Sequence, residues 1–225
     1  MPVFLLPWIA SALVAALGVG VGVLVIRSLK GKRFAVLGPA GAGKSTFINF
    51  LRTGEVTLTC EQTAEPIKLD GKKIKLKEHE LKIAEFVDVP GTKDFHATWK
   101  VQAMSSDVLC YLFDANQFSR DDDYVQAVFA EIRHVTDWRR DRKKAPSAVS
   151  LFVIGTHLDQ MPGYGVAGPE EQARLASTLW TTGSFPELSR RAGGGTTKCL
   201  AGSLATQKGS EQLVGRVISA VAGAE

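Results

Sequence analysis

Very little in this chain speaks for nucleic acid, clustered metal or cysteine chemistry. Its 225 residues hold three cysteines, Cys60, Cys110 and Cys199, odd in number and far apart. They show no metal-ligand spacing. Cys110 and Cys199 lie in or beside apolar runs, which suits core packing in a reducing compartment. An excess of one charge is also lacking. Lys and Arg number 27 against 23 Asp and Glu, a formal +4 spread along the chain. That is too mild an imbalance to argue for a nucleic-acid footprint. No internal repeat is present. What remains, 45% hydrophobic and 22% charged, suffices for one ordinary α/β domain and an appendage.

The longest absence is of charge. Nothing between Val3 and Ile26 is charged. As a helix this stretch would be about 36 Å long at ~1.5 Å per residue, longer than the ~30 Å hydrocarbon core of a bilayer, which it can span with tilt. No Lys or Arg precedes it, whereas Arg27, Lys30, Lys32 and Arg33 follow at once. The positive-inside rule then predicts a single-pass membrane protein with its N-terminus outside and the rest cytoplasmic. A cleaved signal peptide needs a basic start and a shorter apolar core, and the segment has neither. Trp8 suits an interfacial position. Small residues four apart, Ala12, Ala16 and Gly20 on one face and Gly18 and Gly22 on another, permit close helix packing and so a dimer. Residues 3–26 thus read as an anchor, 27–32 as a basic linker and 33–225 as the folded domain.

From Arg33 onward short apolar strands alternate with helical stretches, the pattern of a mostly parallel sheet with helices on both faces. Strands are expected at 33–37, 66–69, 72–76, 81–87, 107–113, 148–154 and 197–202. Helices are expected at 44–53, 97–104, 121–137, 169–181 and 210–222. The Asp70-Gly71 pair predicts a tight turn, making 66–76 a hairpin. Arg139, Arg140, Arg142, Lys143 and Lys144 form a basic run that reads as a solvated loop or as a contact for anionic lipid.

Chemistry concentrates at three strand ends. Gly38-Pro39-Ala40-Gly41-Ala42-Gly43-Lys44-Ser45 matches G-x-x-x-x-G-K-[ST], between an apolar strand and a helix. Glycines let the backbone wrap so that several N–H groups converge on phosphates. Lys44 adds a point charge, and the Ser45 hydroxyl is a hard oxygen ligand for Mg²⁺. Gly38, Ala40, Gly41, Ala42, Gly43, Lys44, Ser45 and Thr46 are therefore the expected phosphate-binding residues, with the helix dipole behind them. The second strand end is Asp88-Val89-Pro90-Gly91. There Asp88 can hold Mg²⁺ directly or through water, and the Gly91 N–H can approach a γ-phosphate. The third is Thr156-His157-Leu158-Asp159, where a carboxylate can accept two hydrogen bonds from the N1–H and N2–H₂ edge of guanine. Adenine lacks that donor pair, so Asp159 selects guanine. After the last strand, a backbone N–H near Ser203-Leu204 can reach the guanine O6.

With these residues in order, the chain resembles P-loop GTPases of the class that includes translation-factor-like, Era-like, septin-like and dynamin-like proteins, over about Arg33 to Ala222. The order of anchor and domain resembles that of the signal-recognition-particle receptor β subunit. The resemblance implies a three-layer G domain, GTP and GDP as ligands, and Mg²⁺ held by Ser45, Asp88 and a threonine of the first switch. Thr63, just before a strand, is the threonine chosen from Thr57, Thr59 and Thr63. It places Gly91, Thr156, His157, Asp159, Ser203 and Leu204 in the nucleotide site beside the phosphate loop. Two departures stand out. His157 replaces the usual lysine over the base, although an imidazole also stacks on a purine. Thr92 follows Gly91 where many small GTPases carry a glutamine that orients the attacking water. With Lys44 and Thr92 as the catalytic candidates, hydrolysis is expected to be slow or to depend on a partner.

The function these features predict is a membrane-anchored GTP-dependent switch read by a cytoplasmic protein partner. Two alternatives stand beside it: a scaffold that binds nucleotide without turnover, and a P-loop ATPase or kinase.

Overall fold

A computed structural model describes residues 33–56, 67–70, 73–76, 79–82, 85–88, 96–141 and 150–222. The elements, in chain order, are β1 (Phe34–Leu37), α1 (Lys44–Thr53), β2 (Ile67–Asp70), β3 (Lys73–Leu76), β4 (His79–Lys82), β5 (Glu85–Asp88), α2 (His96–Ser105), β6 (Val108–Asp114), α3 (Ala115–Phe118), α4 (Asp122–Asp141), β7 (Ser150–Thr156), α5 (Pro169–Thr178), α6 (Phe185–Arg191), β8 (Thr197–Ala201) and α7 (Gln207–Ala222).

Six strands form one sheet in the order β2-β5-β1-β6-β7-β8. Every pairing is parallel except that of β2, which runs antiparallel along β5 at the edge. The expected mostly parallel sheet is present, and its strands show why they read as unbroken apolar runs. In β1, Phe34 and Val36 join a cluster with Phe47, Ile48 and Leu51 of α1 and Leu213, Val217 and Val221 of α7. Ala35 and Leu37 turn the other way, toward Trp99 of α2 and the helices beyond it. Val108, Cys110 and Leu112 of β6 alternate with Leu109, Tyr111 and Phe113 between the same two clusters. A period of two with both faces covered makes every position apolar. Helices therefore lie on both faces.

The helices follow from caps and stripes. Asp121 precedes α4, and its carboxylate accepts the Tyr124 N–H at 3.0 Å. That bond, and then one from the Gln117 side chain, hold the Asp121 carboxyl below its ordinary range. Val125, Val128, Phe129, Ile132 and Val135 then bury one face at helical spacing. The helix runs to Asp141, past the expected end at 137.

Two sequence expectations need correction. Residues 66–76 do not pair as a hairpin. Ile67 to Asp70 lie opposite Asp88 to Glu85 of β5, so β2 spends its ladder in the main sheet. β3 pairs instead with β4, with Ile74 opposite Leu81 and Lys75 opposite Glu80, as a separate two-stranded sheet. For the same reason 81–87 is not one strand: 79–82 belongs to the small two-stranded sheet and 85–88 to the main sheet. Helix α6 was not expected. It has only seven residues, with Phe185 and Leu188 buried.

Among the described residues no helix is long and apolar enough to cross a membrane. The expected anchor, 3–26, and the linker, 27–32, lie outside the described residues.

Candidate functional site

β1 ends at Leu37 and the chain turns across the end of β6. At Gly38, φ is +140°, and a Cβ would stand 1.9 Å from the Leu112 carbonyl oxygen. Only glycine fits there, because the obstacle is backbone. Gly41 and Gly43 have φ near +76° and +78°, so the loop curls left-handed before α1. Lys44 folds back over this curl. Its Nζ donates to the Pro39 carbonyl at 2.8 Å, and the residue is 7% exposed. Gly43 caps α1 without any side-chain hydrogen bond, and no acidic residue stands in the first turn. Lys44, Ser45 and Thr46 thus begin a helix whose own first turn holds no acidic side chain, and a helix N-terminus of that kind favours an anion.

Thr156, the last residue of β7, is fully buried. Its Oγ1 lies 2.9 Å from the Phe113 carbonyl oxygen and 3.1 Å from that of Ala42. One hydroxyl therefore ties β6, β7 and the phosphate loop together. His157 follows with φ +59°, the one non-glycine in the left-handed region among the described residues. That turn leads into a short 3₁₀ helix, Leu158–Gln160, which carries Asp159. The Ser203 hydroxyl donates to Asp159 Oδ1 at 2.5 Å and accepts the Ala205 N–H at 3.1 Å. The loops after β7 and β8 are also joined by backbone, Gly202 N–H to the Gly155 carbonyl at 2.9 Å. Leu204 packs on the phosphate loop: its Cδ1 is 3.1 Å from where a Gly43 Cβ would be.

Ala42, Gly43, Thr156, His157, Asp159, Ser203 and Leu204, far apart in sequence, thus share the carboxyl edge of one sheet. Open α/β sheets bind ligands at that edge. Asp88 ends β5 with Val36 of β1 as its Cα partner, so its backbone stands at the same edge. Ser45 and Asp88 offer hydroxyl and carboxylate oxygens, a donor type that fits Mg²⁺. Thr63, Gly91 and Thr92 lie outside the described residues.

Sequence reasoning missed three groups here. The Asp114 side chain accepts the Gln117 N–H at 2.9 Å and caps α3. Its Oδ2 is also 3.8 Å from His157 Nδ1. Asn116 is 5% exposed and donates to Gln160 Oε1 at 3.3 Å, beside Asp159. The Pro39 carbonyl holds Lys44. Asp114 was findable: an aspartate closing an apolar strand before Ala-Asn-Gln is a helix-cap signal. The other two depend on side-chain and loop packing that no local pattern announces.

A family model described as 50S ribosome-binding GTPase matches residues 33–147. That span is just over half of the chain and ends before the Thr156 and Ser203 loops. No curated protein matches the sequence. Solved structures do. The Arl6 BBS3 small GTPase from Trypanosoma brucei, with the nucleotide analogue GppNp bound, superposes with a TM-score of 0.57. The match covers 86% of this chain and 98% of that one at 16% identity. The signal recognition particle receptor SRb-GTP/SRX complex from Chaetomium thermophilum gives a TM-score of 0.58. It covers 84% of this chain and 98% of that one at 14% identity. At these identities the likeness is one of fold.

Proposed function

The chain belongs to the 50S ribosome-binding GTPase family, and from that premise we propose that it is a slow, membrane-anchored guanine-nucleotide switch. The loop from Gly38 to Thr46 takes the phosphates of GTP or GDP. Ser45, Asp88 and Thr63 take Mg²⁺, which neutralises charge on the β- and γ-oxygens. Asp159 reads guanine, with Thr156, His157, Ser203 and Leu204 around the base. Gly91 senses the γ-phosphate. Thr92, shorter than a glutamine, leaves the attacking water poorly held, so hydrolysis is slow or completed by a partner. Residues 3–26 keep the domain at the cytoplasmic face of a membrane, where a cytoplasmic protein reads the GTP state.

The observation that carries this reading is the Ser203–Asp159 hydrogen bond. It fixes a carboxylate oxygen at the sheet edge that also carries the phosphate loop. A carboxylate can take both N1–H and N2–H₂ of guanine, whereas adenine offers only the N6 donor and sets its N1 acceptor against the second oxygen, which disfavours an ATPase or kinase reading.

The test is phosphate release from Mg²⁺-GTP by the full chain. Slow turnover is expected, and Lys44→Ala is expected to lose at least tenfold, since it removes the cation over the β- and γ-phosphates. Tight GTP binding with no turnover, alone or with membranes and cytoplasmic extract, would overturn the switch in favour of a scaffold that holds nucleotide unchanged.

A further inference from the structure

The chain leaves α1 through Gly54, which takes the left-handed conformation at φ +75° and returns its N–H to the Phe50 carbonyl at 2.9 Å. The last carbonyls of a helix lack partners within it, and here a side chain from the far end of the sequence supplies one. Gln207 Nε2 donates to the Gly54 carbonyl at 2.6 Å, while Gln207 Oε1 accepts the Val56 N–H at 3.2 Å. Nε2 also donates to Glu211 Oε1 at 3.0 Å, one turn along α7. These partners settle which way the amide faces. Turned over, its oxygen would meet the Gly54 carbonyl and the Glu211 carboxylate, and its NH₂ would meet an N–H. The amide thus pairs with a carbonyl and an N–H two residues apart, as one residue of a parallel strand does.

Gln207 is the first residue of α7 and stands four residues after Ser203. The stretch around them is closely bonded. Ser203 Oγ accepts the Ala205 N–H at 3.1 Å, Thr206 Oγ1 accepts the Gly209 N–H at 3.1 Å, and the Thr206 carbonyl accepts the Ser210 N–H at 2.9 Å. The fully buried Ser210 hydroxyl donates back to the Leu204 carbonyl at 3.2 Å. At Gly209 a Cβ would stand 2.9 Å from the Ser203 carbonyl oxygen, so the start of the helix packs directly on the Ser203 loop. Gln207 and Ser203 therefore shift together, and Ser203 holds Asp159. On the other side, Val56 packs on the cluster shared by α1 and α7. Gln207 is exposed, and bonds between neutral groups within reach of water stabilise only modestly. The clamp can open while both helices stay folded.

We propose that Gln207 is a positioning residue that couples the guanine-reading loop to the exit of α1, so that the fit of the base sets how strongly a triphosphate is preferred over a diphosphate. This inference rests on the guanine-nucleotide reading above and deepens it. A guanine that gives both N1–H and N2–H₂ to Asp159 keeps Asp159, Ser203 and the start of α7 in one arrangement, and Gln207 then holds Gly54 and Val56. In sequence the chain runs on from Val56 to Thr63, assigned above to the Mg²⁺ that bridges β- and γ-oxygens. A base that leaves one Asp159 oxygen unpaired holds the loop less firmly, and the advantage of the third phosphate shrinks. Coupling of two binding equilibria is reciprocal, so the third phosphate also sharpens the preference for guanine.

The test uses the full chain with Mg²⁺ and four ligands: GDP, inosine diphosphate, and the β,γ-imido triphosphates of both nucleosides, which resist hydrolysis. Hypoxanthine keeps N1–H and lacks the 2-amino group. Competition against a fluorescent guanine nucleotide gives each Kd. In the wild type the preference for triphosphate over diphosphate is expected to be roughly fivefold greater with guanine than with hypoxanthine, the lower end of typical couplings. In Gln207→Leu the two preferences should become equal while both guanine ligands still bind. Gln207→Glu, which loses the donor to Gly54, is the second variant and should show the same equality. Glu211→Gln keeps an acceptor for Nε2 and should keep the coupling. A merely structural role would weaken all four ligands alike, and that result would overturn the proposal. Equal preferences in the wild type would overturn it too, a result that needs no variant to fold. Failure of the wild type to bind any guanine nucleotide would instead overturn the guanine-nucleotide reading itself.

Discussion

At the scale of single residues the site is held by short polar links between loops. Ser203 is the clearest case. It donates to Asp159 Oδ1 and takes the Ala205 N–H, so it orients the carboxylate. Ser203→Ala is expected to weaken GDP binding roughly tenfold, the equivalent of one hydrogen bond to a charged group. ATP binding should be unchanged. Titration of both nucleotides by calorimetry checks this. How much of the site was readable depends on what fixes each residue. The phosphate loop was legible because its chemistry demands glycine at set spacings. Gly38 shows the demand physically, with its would-be Cβ against the Leu112 backbone. Asp159 and Ser203 were legible as strand ends, but the bond between them was not, since 44 residues separate them. His157 was legible as a departure from a pattern. Its contact with the Thr156 hydroxyl, 2.8 Å from Nδ1, was not legible, since it depends on side-chain placement.

Among the elements, packing decided where local signals were weak. The apolar runs of β1, β6 and β7 announced buried strands, and they lie side by side at the centre of the sheet. The Asp70-Gly71 signal failed because each strand found a partner other than its neighbour, β2 in β5 and β3 in β4. Helix α6 was invisible because it is too short to show a period. It is held by the aromatic cluster of Phe118 and Phe185, whose ring centroids are 4.9 Å apart, and by Arg191 over the Phe129 ring at 4.3 Å. Several side-chain links join sheet and helices, and one of them starts deep in the core. The Tyr111 hydroxyl, at the buried centre of β6, donates to Glu131 of α4 at 2.9 Å. Burial first, then the charge of Glu131, pushes its ionisation well above the ordinary tyrosine value. A raised folded-state pKa means this stabilisation is complete below about pH 10 and falls as pH rises beyond it, because the unfolded tyrosine ionises first. Tyr111→Phe should cost about 1 kcal/mol at neutral pH. It should also flatten the loss of stability above pH 10, as read by urea unfolding at pH 8 and pH 10.5.

For the whole molecule, a sheet buried on both faces leaves its carboxyl edge as the place where chemistry gathers. The phosphate loop, the Asp159 turn and the Ser203 loop all meet there. The uncharged stretch 3–26 leads through a short basic linker into β1, whose start lies at the opposite end of that strand. The full chain is expected to stay with membranes through alkaline carbonate washing. A chain from which 3–26 has been removed should leave them. Fractionation and blotting measure both, and a full chain recovered in the wash would contradict the anchor. The central claim is guanine recognition by Asp159, and nucleotide competition with the full chain and Mg²⁺ tests it most directly. The account predicts that GDP and GTP displace a fluorescent guanine nucleotide while ATP does not. It also predicts that Asp159→Asn loses guanine and gains xanthine nucleotides, because an amide can donate to the 2-oxo group that replaces the 2-amino group. ATP competing as well as GTP, or an Asp159→Asn variant with unchanged guanine affinity, would contradict it.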